Sequence, residues 1–170
     1  MTISIKRSIF GIDPGTNAMG VCWVDPFGKA QAVGVIKRPR HLKAGTDPLI
    51  VSKEMAALVW EWCLKNSPSS ARVESQLVIE RQAIYSKEQQ KADPMDILKL
   101  AYLTGALSSY FDQIRSYEPR QWKGQAPKEA IEARMRNKLS PTELRLLDAV
   151  KWDDNAVEAV AIVKKFLDAR

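Results

Sequence analysis

The sequence predicts an α/β fold, a mixed sheet with helices packed on it. Three observations carry that prediction. Short apolar runs rich in β-branched and aromatic residues recur at strand length, at Ile9–Ile12, Val21–Val24, 29–37 and Leu77–Ile79. The pairs Asp47-Pro48 and Asp93-Pro94 each open a longer stretch with apolar residues at helical spacing. Strand-like and helix-like segments alternate along the chain and do not separate into blocks.

Residues 8–26, SIFGIDPGTNAMGVCWVDP, read as two strands joined by the turn Pro14-Gly15-Thr16-Asn17. The turn Pro26-Phe27-Gly28 leads to a third strand, KAQAVGVIK, so the first three strands form an antiparallel meander. Residues 38–47 are polar and basic and read as a loop. The helix after Asp47 places Leu49, Ile50, Met55, Ala56, Val59, Trp62 and Cys63 at helical intervals and ends near Asn66-Ser67-Pro68. Ser67 to Ser70 reads as a loop. Leu77-Val78-Ile79 is a continuous apolar run, as in a central strand buried on both faces. The segment 82–93 is polar, with Ile84 and Tyr85 among its charges. The helix from Asp93 through Phe111 is apolar on more than one face, which suits a central position or a subunit interface. Gly105 and Ala106 on it would let another backbone approach. Residues 115–122, RSYEPRQW, are expected to be a fifth strand at a sheet edge, because Pro119 cannot donate to a ladder. Basic and short helices then start at Pro127 and Ser140-Pro141, and a final helix covers about Asp153–Ala169.

The 170 residues suit a single domain spanning 1–170, and a hydrophobic share of 45% with 27% charged is that of an ordinary globular chain. No apolar run reaches the roughly 20 residues of a membrane span, and no signal-peptide core precedes the first strand. The expectation is an intracellular, cytoplasmic protein of bacterial or phage type with no membrane partner. Cys22 and Cys63 lie in apolar surroundings and read as free thiols. A lone histidine and no close cysteine pair argue against zinc. The formal charge of +6 permits a polyanionic partner. Basic residues gather at Lys37, Arg38, Arg40, His41 and Lys43, and again from Arg115 to Lys138. Each run reads either as a solvated face or as a phosphate-contacting one.

Two acids end apolar strands, Asp13 and Glu80. A carboxylate at such a place is costly unless it is paired or binds a cation. Asp13 alone reads equally as a turn cap. The last helix, WDDNAVEAVAIVKKFL, adds Asp153, Asp154, Asn155 and Glu158. Asp154 and Glu158 are four apart and share a helix face, as do Asn155 and Glu158 at three apart. Asp153 or Asp154 also serves as N-cap or first-turn acid. Acids converging from two strands and a helix would repel one another, and a divalent cation is the natural way to hold them. All-oxygen ligation suits Mg²⁺ or Mn²⁺.

The ordered set GIDPGTNAMG, LVIERQ and DDNAVEAVAI resembles the ribonuclease H-like nucleases, and more closely the RuvC-type Holliday junction resolvases. The resemblance implies a ribonuclease H-like fold with a five-stranded sheet, three antiparallel strands followed by parallel ones. It implies a Mg²⁺-dependent (or Mn²⁺-dependent) homodimeric endonuclease, with two ions per site, that cuts four-way or branched DNA. By position, Asp13, Glu80 and Glu158 match the acids of that family. Glu158 is a Glu where the family usually has Asp. Asn155 stands where the family often has Asp or His, and Asp154 is the candidate to take over that ligand role. Lys123 and Lys128 match basic positions associated with DNA binding and catalysis, with Lys128 counted among the catalytic set. The DNA-binding set expected from the resemblance and the basic runs is Arg38, Arg40, Tyr85, Lys87, Arg120, Lys123 and Lys128. Tyr85 or Ile84 would enter the junction centre, and the 93–111 helix would form the dimer. Alternatives are a broader branched- or flap-DNA nuclease, or a DNA-structure-binding scaffold whose metal site is weakened at Asn155. An actin-like ATPase is disfavoured, because the chain lacks a second glycine-rich phosphate loop.

Overall fold

A computed structural model describes residues 7–73, 75–82 and 93–169. Its order is β1 (Ser8–Asp13), β2 (Ala18–Val24), β3 (Ala30–Lys37), α1 (Pro48–Asn66), α2 (Ser70–Val73), β4 (Ser75–Glu80), α3 (Pro94–Ser108), β5 (Gln113–Tyr117), α4 (Pro119–Trp122), α5 (Lys128–Lys138), α6 (Pro141–Ala149) and α7 (Asp154–Asp168). The strands form one sheet in the order β3-β2-β1-β4-β5. β1–β2 and β2–β3 are antiparallel, whereas β1–β4 and β4–β5 are parallel. The meander and the mixed sheet are therefore as the sequence predicts. β4 is buried along its whole length, as its unbroken apolar run requires.

Side chains alternate across β1, and the two faces fill different cores. Ile9 faces a core built with α7, where Val160, Ile162 and Val163 are buried. Phe10 and Ile12 face the other core, built with α1 and α3 from Met55, Val59, Leu103 and Leu107. Glycine at position 11 lets α7 lie close on the sheet. A Cβ there would come within 2.4 Å of both the Ala159 carbonyl oxygen and Val163 Cγ2.

The Asp-Pro signals act as expected. Asp47 and Asp93 cap α1 and α3, each accepting from the backbone amide two residues on, with proline in the first turn. Three segments differ from expectation. The edge strand is Gln113–Tyr117, and Pro119–Trp122 is a short helix, because Glu118 and Gln121 close a capping box around a proline that suits a first turn. α3 stops at Ser108, short of Phe111. Ser70 belongs to the short helix α2. Cys22 and Cys63 are buried free thiols, and burial pushes each up to about 12. No helix among the described residues is long and apolar enough to cross a membrane.

Candidate metal and nucleic-acid site

The parallel pairing of β1 with β4 brings two acid-ended strands side by side, with Ile12 opposite Ile79. Asp13 and Glu80 follow directly at that edge. α7 crosses the same sheet and supplies Glu158 from its second turn. One carboxylate oxygen from each of Asp13, Glu80 and Glu158 lies within 4.8 Å of the others. Glu80 is buried, and the other two are half-buried.

The surroundings fix each group. Trp122 Nε1 donates to Glu80 Oε2 at 2.8 Å. Lys123 Nζ lies 2.5 Å from Glu158 Oε2 and 3.0 Å from Glu80 Oε2, so an ammonium bridges two of the three acids. Burial pushes Lys123 down, but Glu80 and Glu158 outweigh it and hold the ammonium above its usual range. Asp13 has the opposite problem. Burial first, then the like charges of Glu158 and Glu80, push its carboxyl well above the ordinary carboxylate range. An all-oxygen set that already draws in one cation and still leaves Asp13 disfavoured as an anion fits a hard divalent ion.

Asp154 stands apart from the three acids and is ion-paired with Lys128. That hydrogen bond holds the exposed Lys128 ammonium above its usual range. Asn155 turns away as well. Its Nδ2 donates to Asp153 Oδ1 at 3.2 Å, and Asp153 is the N-cap of α7. Of the expected DNA-contacting residues, Arg40 and Arg120 are exposed and Lys123 sits inside the acid cluster. Arg38 is half-buried and clasps its own loop, its guanidinium donating to the carbonyls of Leu42 and Lys43. Tyr85 and Lys87, like Ile84, lie outside the described residues. Trp122 is the neighbour of the acids that sequence reading overlooked. Its signal was the capping box of Glu118-Pro119-Arg120-Gln121, which turns the chain back toward β4.

The architecture matches solved structures closely. Thermus thermophilus RuvC in complex with Holliday junction substrate superposes with a TM-score of 0.63 at 19% identity, covering 94% of this chain and 91% of that one. The ribonuclease H-like, RuvC-type fold is the fold of this chain. A second T. thermophilus RuvC structure gives a TM-score of 0.56 at 19% identity over 95% of both chains. The yeast mitochondrial Holliday junction resolvase gives 0.63 at 12% identity, covering 95% of this chain and 78% of that one. No family model and no curated protein matches the sequence.

Proposed function

We propose that this chain is a metal-dependent endonuclease that cuts four-way DNA junctions. The observation that carries the reading is the convergence of Asp13, Glu80 and Glu158 within 4.8 Å at one edge of a RuvC-type sheet. The structural neighbours are junction resolvases, one of them solved with its junction substrate.

Asp13, Glu80 and Glu158 would hold the ion, Mg²⁺ or Mn²⁺ by their oxygen chemistry, and two ions are proposed per site. When bound, such ions generate a hydroxide nucleophile and stabilise the leaving oxygen of a phosphodiester. The protein's own groups do the rest. Trp122 keeps one oxygen of Glu80 fixed through its indole N–H. The Lys123 ammonium, 2.5 Å from Glu158, balances the acids before the ion arrives. With an ion held by the three acids, the Lys123 ammonium would be available to the substrate phosphate. Asp154 and Lys128 sit at the rim, within reach of the same strand. Arg40 and Arg120 add sequence-independent phosphate contacts, and Tyr85 and Lys87 are proposed to meet the branch.

A junction offers two equivalent strands, which a twofold dimer would cut symmetrically. The proposed dimer face is α3, whose Met95, Leu98 and Tyr102 are exposed on one side although the helix is otherwise apolar.

The test is cleavage of a synthetic four-way junction beside a flap, a linear duplex and an RNA–DNA hybrid, with and without Mg²⁺. Paired nicks in the junction alone, lost in Asp13→Asn, support a resolvase. Equal cutting of flap and junction supports a broader branched-DNA nuclease. Binding without cutting by the wild type overturns the nuclease reading.

A further inference from the structure

A cavity of about 420 Å³ opens at the same edge of the sheet as the acids but on the opposite face. Its first wall is Thr16 and Asn17, three and four residues past Asp13 in the β1–β2 turn. Its floor is apolar, made by Val51 and Met55 of α1 and Leu103 of α3. Cations stand at its rim, Arg38 from the loop after β3 and Lys99 from α3. We infer that this cavity takes one unstacked nucleotide, with the base inward over the apolar floor and the phosphate at the cationic rim. The source of that nucleotide is the branch of the bound DNA, so the setting, though not the chemistry, rests on the function proposed above.

Four features carry the inference. The volume lies within the roughly 300–1,000 Å³ of small-molecule sites. An apolar floor beneath largely polar walls suits a base, whose faces are apolar and whose edges hydrogen-bond. Ser52 lines the cavity at 4% exposure, and its hydroxyl is one of the polar groups available there. A base edge, carrying both donors and acceptors, would be a hydrogen-bond partner for that hydroxyl. At the rim, Arg38 uses its guanidinium to hold the Leu42 and Lys43 carbonyls, which leaves further N–H donors on a fixed group. Lys99 is paired with Asp96 at 2.7 Å, and both side chains are exposed, so a phosphate competes with a weak surface pair.

The geometry of α3 keeps this site compatible with a dimer. Asp96, Lys99 and Leu103 form the cavity stripe, whereas Met95, Leu98 and Tyr102 form the neighbouring exposed stripe. Bases at a branch point are the least stacked in the substrate, so drawing one out costs little there.

The experiment follows the methyl resonances of Val51, Met55 and Leu103 in the Asp13→Asn chain, which is expected to bind the junction without cutting it. Two probes are added separately, millimolar dAMP or dTMP, and a four-way junction carrying 2-aminopurine at the branch. The expected result is methyl shifts with both probes and a several-fold rise in 2-aminopurine fluorescence on binding. Ser52→Leu, which fills the cavity, should abolish both signals, and the milder Ser52→Ala should weaken mononucleotide binding several-fold. Junction binding with silent methyls and no fluorescence rise overturns the nucleotide site and leaves the nuclease reading standing. Methyl shifts with mononucleotides in a chain that binds no junction keep the site, assign it to free nucleotides, and overturn the junction reading.

Discussion

Gly20 and Asn155 are in backbone contact. A Cβ on Gly20 would lie 1.8 Å from the Asn155 carbonyl oxygen. Gly20 is also the residue opposite Asp13 in the β1–β2 ladder, so the place where α7 meets the sheet is one strand from the first acid. The N-terminal turn of α7 can sit low only because position 20 carries no side chain, and that height sets how far Glu158 reaches toward Asp13. Gly20→Ala should therefore lift the start of α7. The expected cost is about 3 kcal/mol of stability, the upper end for an overpacked core, with a fall in Mg²⁺-dependent cleavage of at least about a hundredfold. Chemical denaturation and single-turnover cleavage would check the two effects. A variant with full cleavage would show that Glu158 does not depend on this contact.

Trp122 gives a narrower prediction. Its indole N–H is the neutral donor that holds Glu80 Oε2, at 2.8 Å and buried. Trp122→Phe keeps an aromatic body but leaves that oxygen one donor short. A hydrogen bond to a charged group contributes about 1.5–3 kcal/mol. The expected result is a higher Mg²⁺ concentration for half-maximal cleavage, by about tenfold, with junction affinity unchanged. Loss of junction binding alongside would instead mark a packing defect.

Asp13 predicts a trade between stability and activity. Its carboxyl is pushed up by burial and then by Glu158 and Glu80, so the folded chain disfavours the anion more than the unfolded chain does. The sign follows. At neutral pH an ionised Asp13 lowers the stability of the metal-free protein, and this cost is absent below the ordinary carboxylate range. Asp13→Asn removes the charge and keeps the shape. The metal-free variant should melt above the wild type, lose the stabilisation that added Mg²⁺ gives, and fail to cleave. A lower melting temperature without metal would mean that Asp13 acts chiefly as a turn cap.

Much of this site was legible in the sequence, for a local reason. An apolar strand that ends in an acid announces a carboxylate at a sheet edge, and two such strands could be found before their pairing was known. The Asp-Pro pairs likewise announce helix starts, because cap and proline act within one turn. What was not legible depends on contacts across the chain. Trp122 meets Glu80 from 42 residues away, and an aromatic in an extended-looking RSYEPRQW reads as a strand residue until the Glu118–Gln121 capping box is noticed. Gly20 stands just before the apolar run Val21–Val24, and nothing local shows that Asn155 of α7 would meet it. Asp154 shares a helix face with Glu158 by spacing, yet it lies outside the group of three acids and is ion-paired with Lys128 on α5. Lys164 sits among the apolar residues of α7 with no local hint of its partner.

That partner is Glu143, and the pair sets the acid limit of the fold. Lys164 Nζ lies 2.6 Å from Glu143 Oε1 and also donates to the Gly28 carbonyl, and both side chains are buried. Burial alone would push Glu143 up, but the Lys164 ammonium, the Ala30 and Ser140 amides and the Ser140 hydroxyl together take it down from 4.5 to about 2. A carboxylate depressed by folding stabilises the protein above its unfolded value and loses that contribution as pH falls toward its folded value. Stability should therefore drop by about 3 kcal/mol between pH 4.5 and 2 from this group alone. Glu143→Gln should remove that portion of the pH dependence. At pH 7 it should cost 3–5 kcal/mol, roughly the figure for a buried pair broken on one side, because Lys164 stays buried without its counter-ion. Adding Lys164→Met should recover part of the loss, since no buried charge then remains. Denaturation series at pH 2.5, 4 and 7 on the wild type and the two variants would measure the coupling. Equal pH slopes in wild type and Glu143→Gln would assign the acid limit to other groups, with Asp13 excluded by its opposite sign.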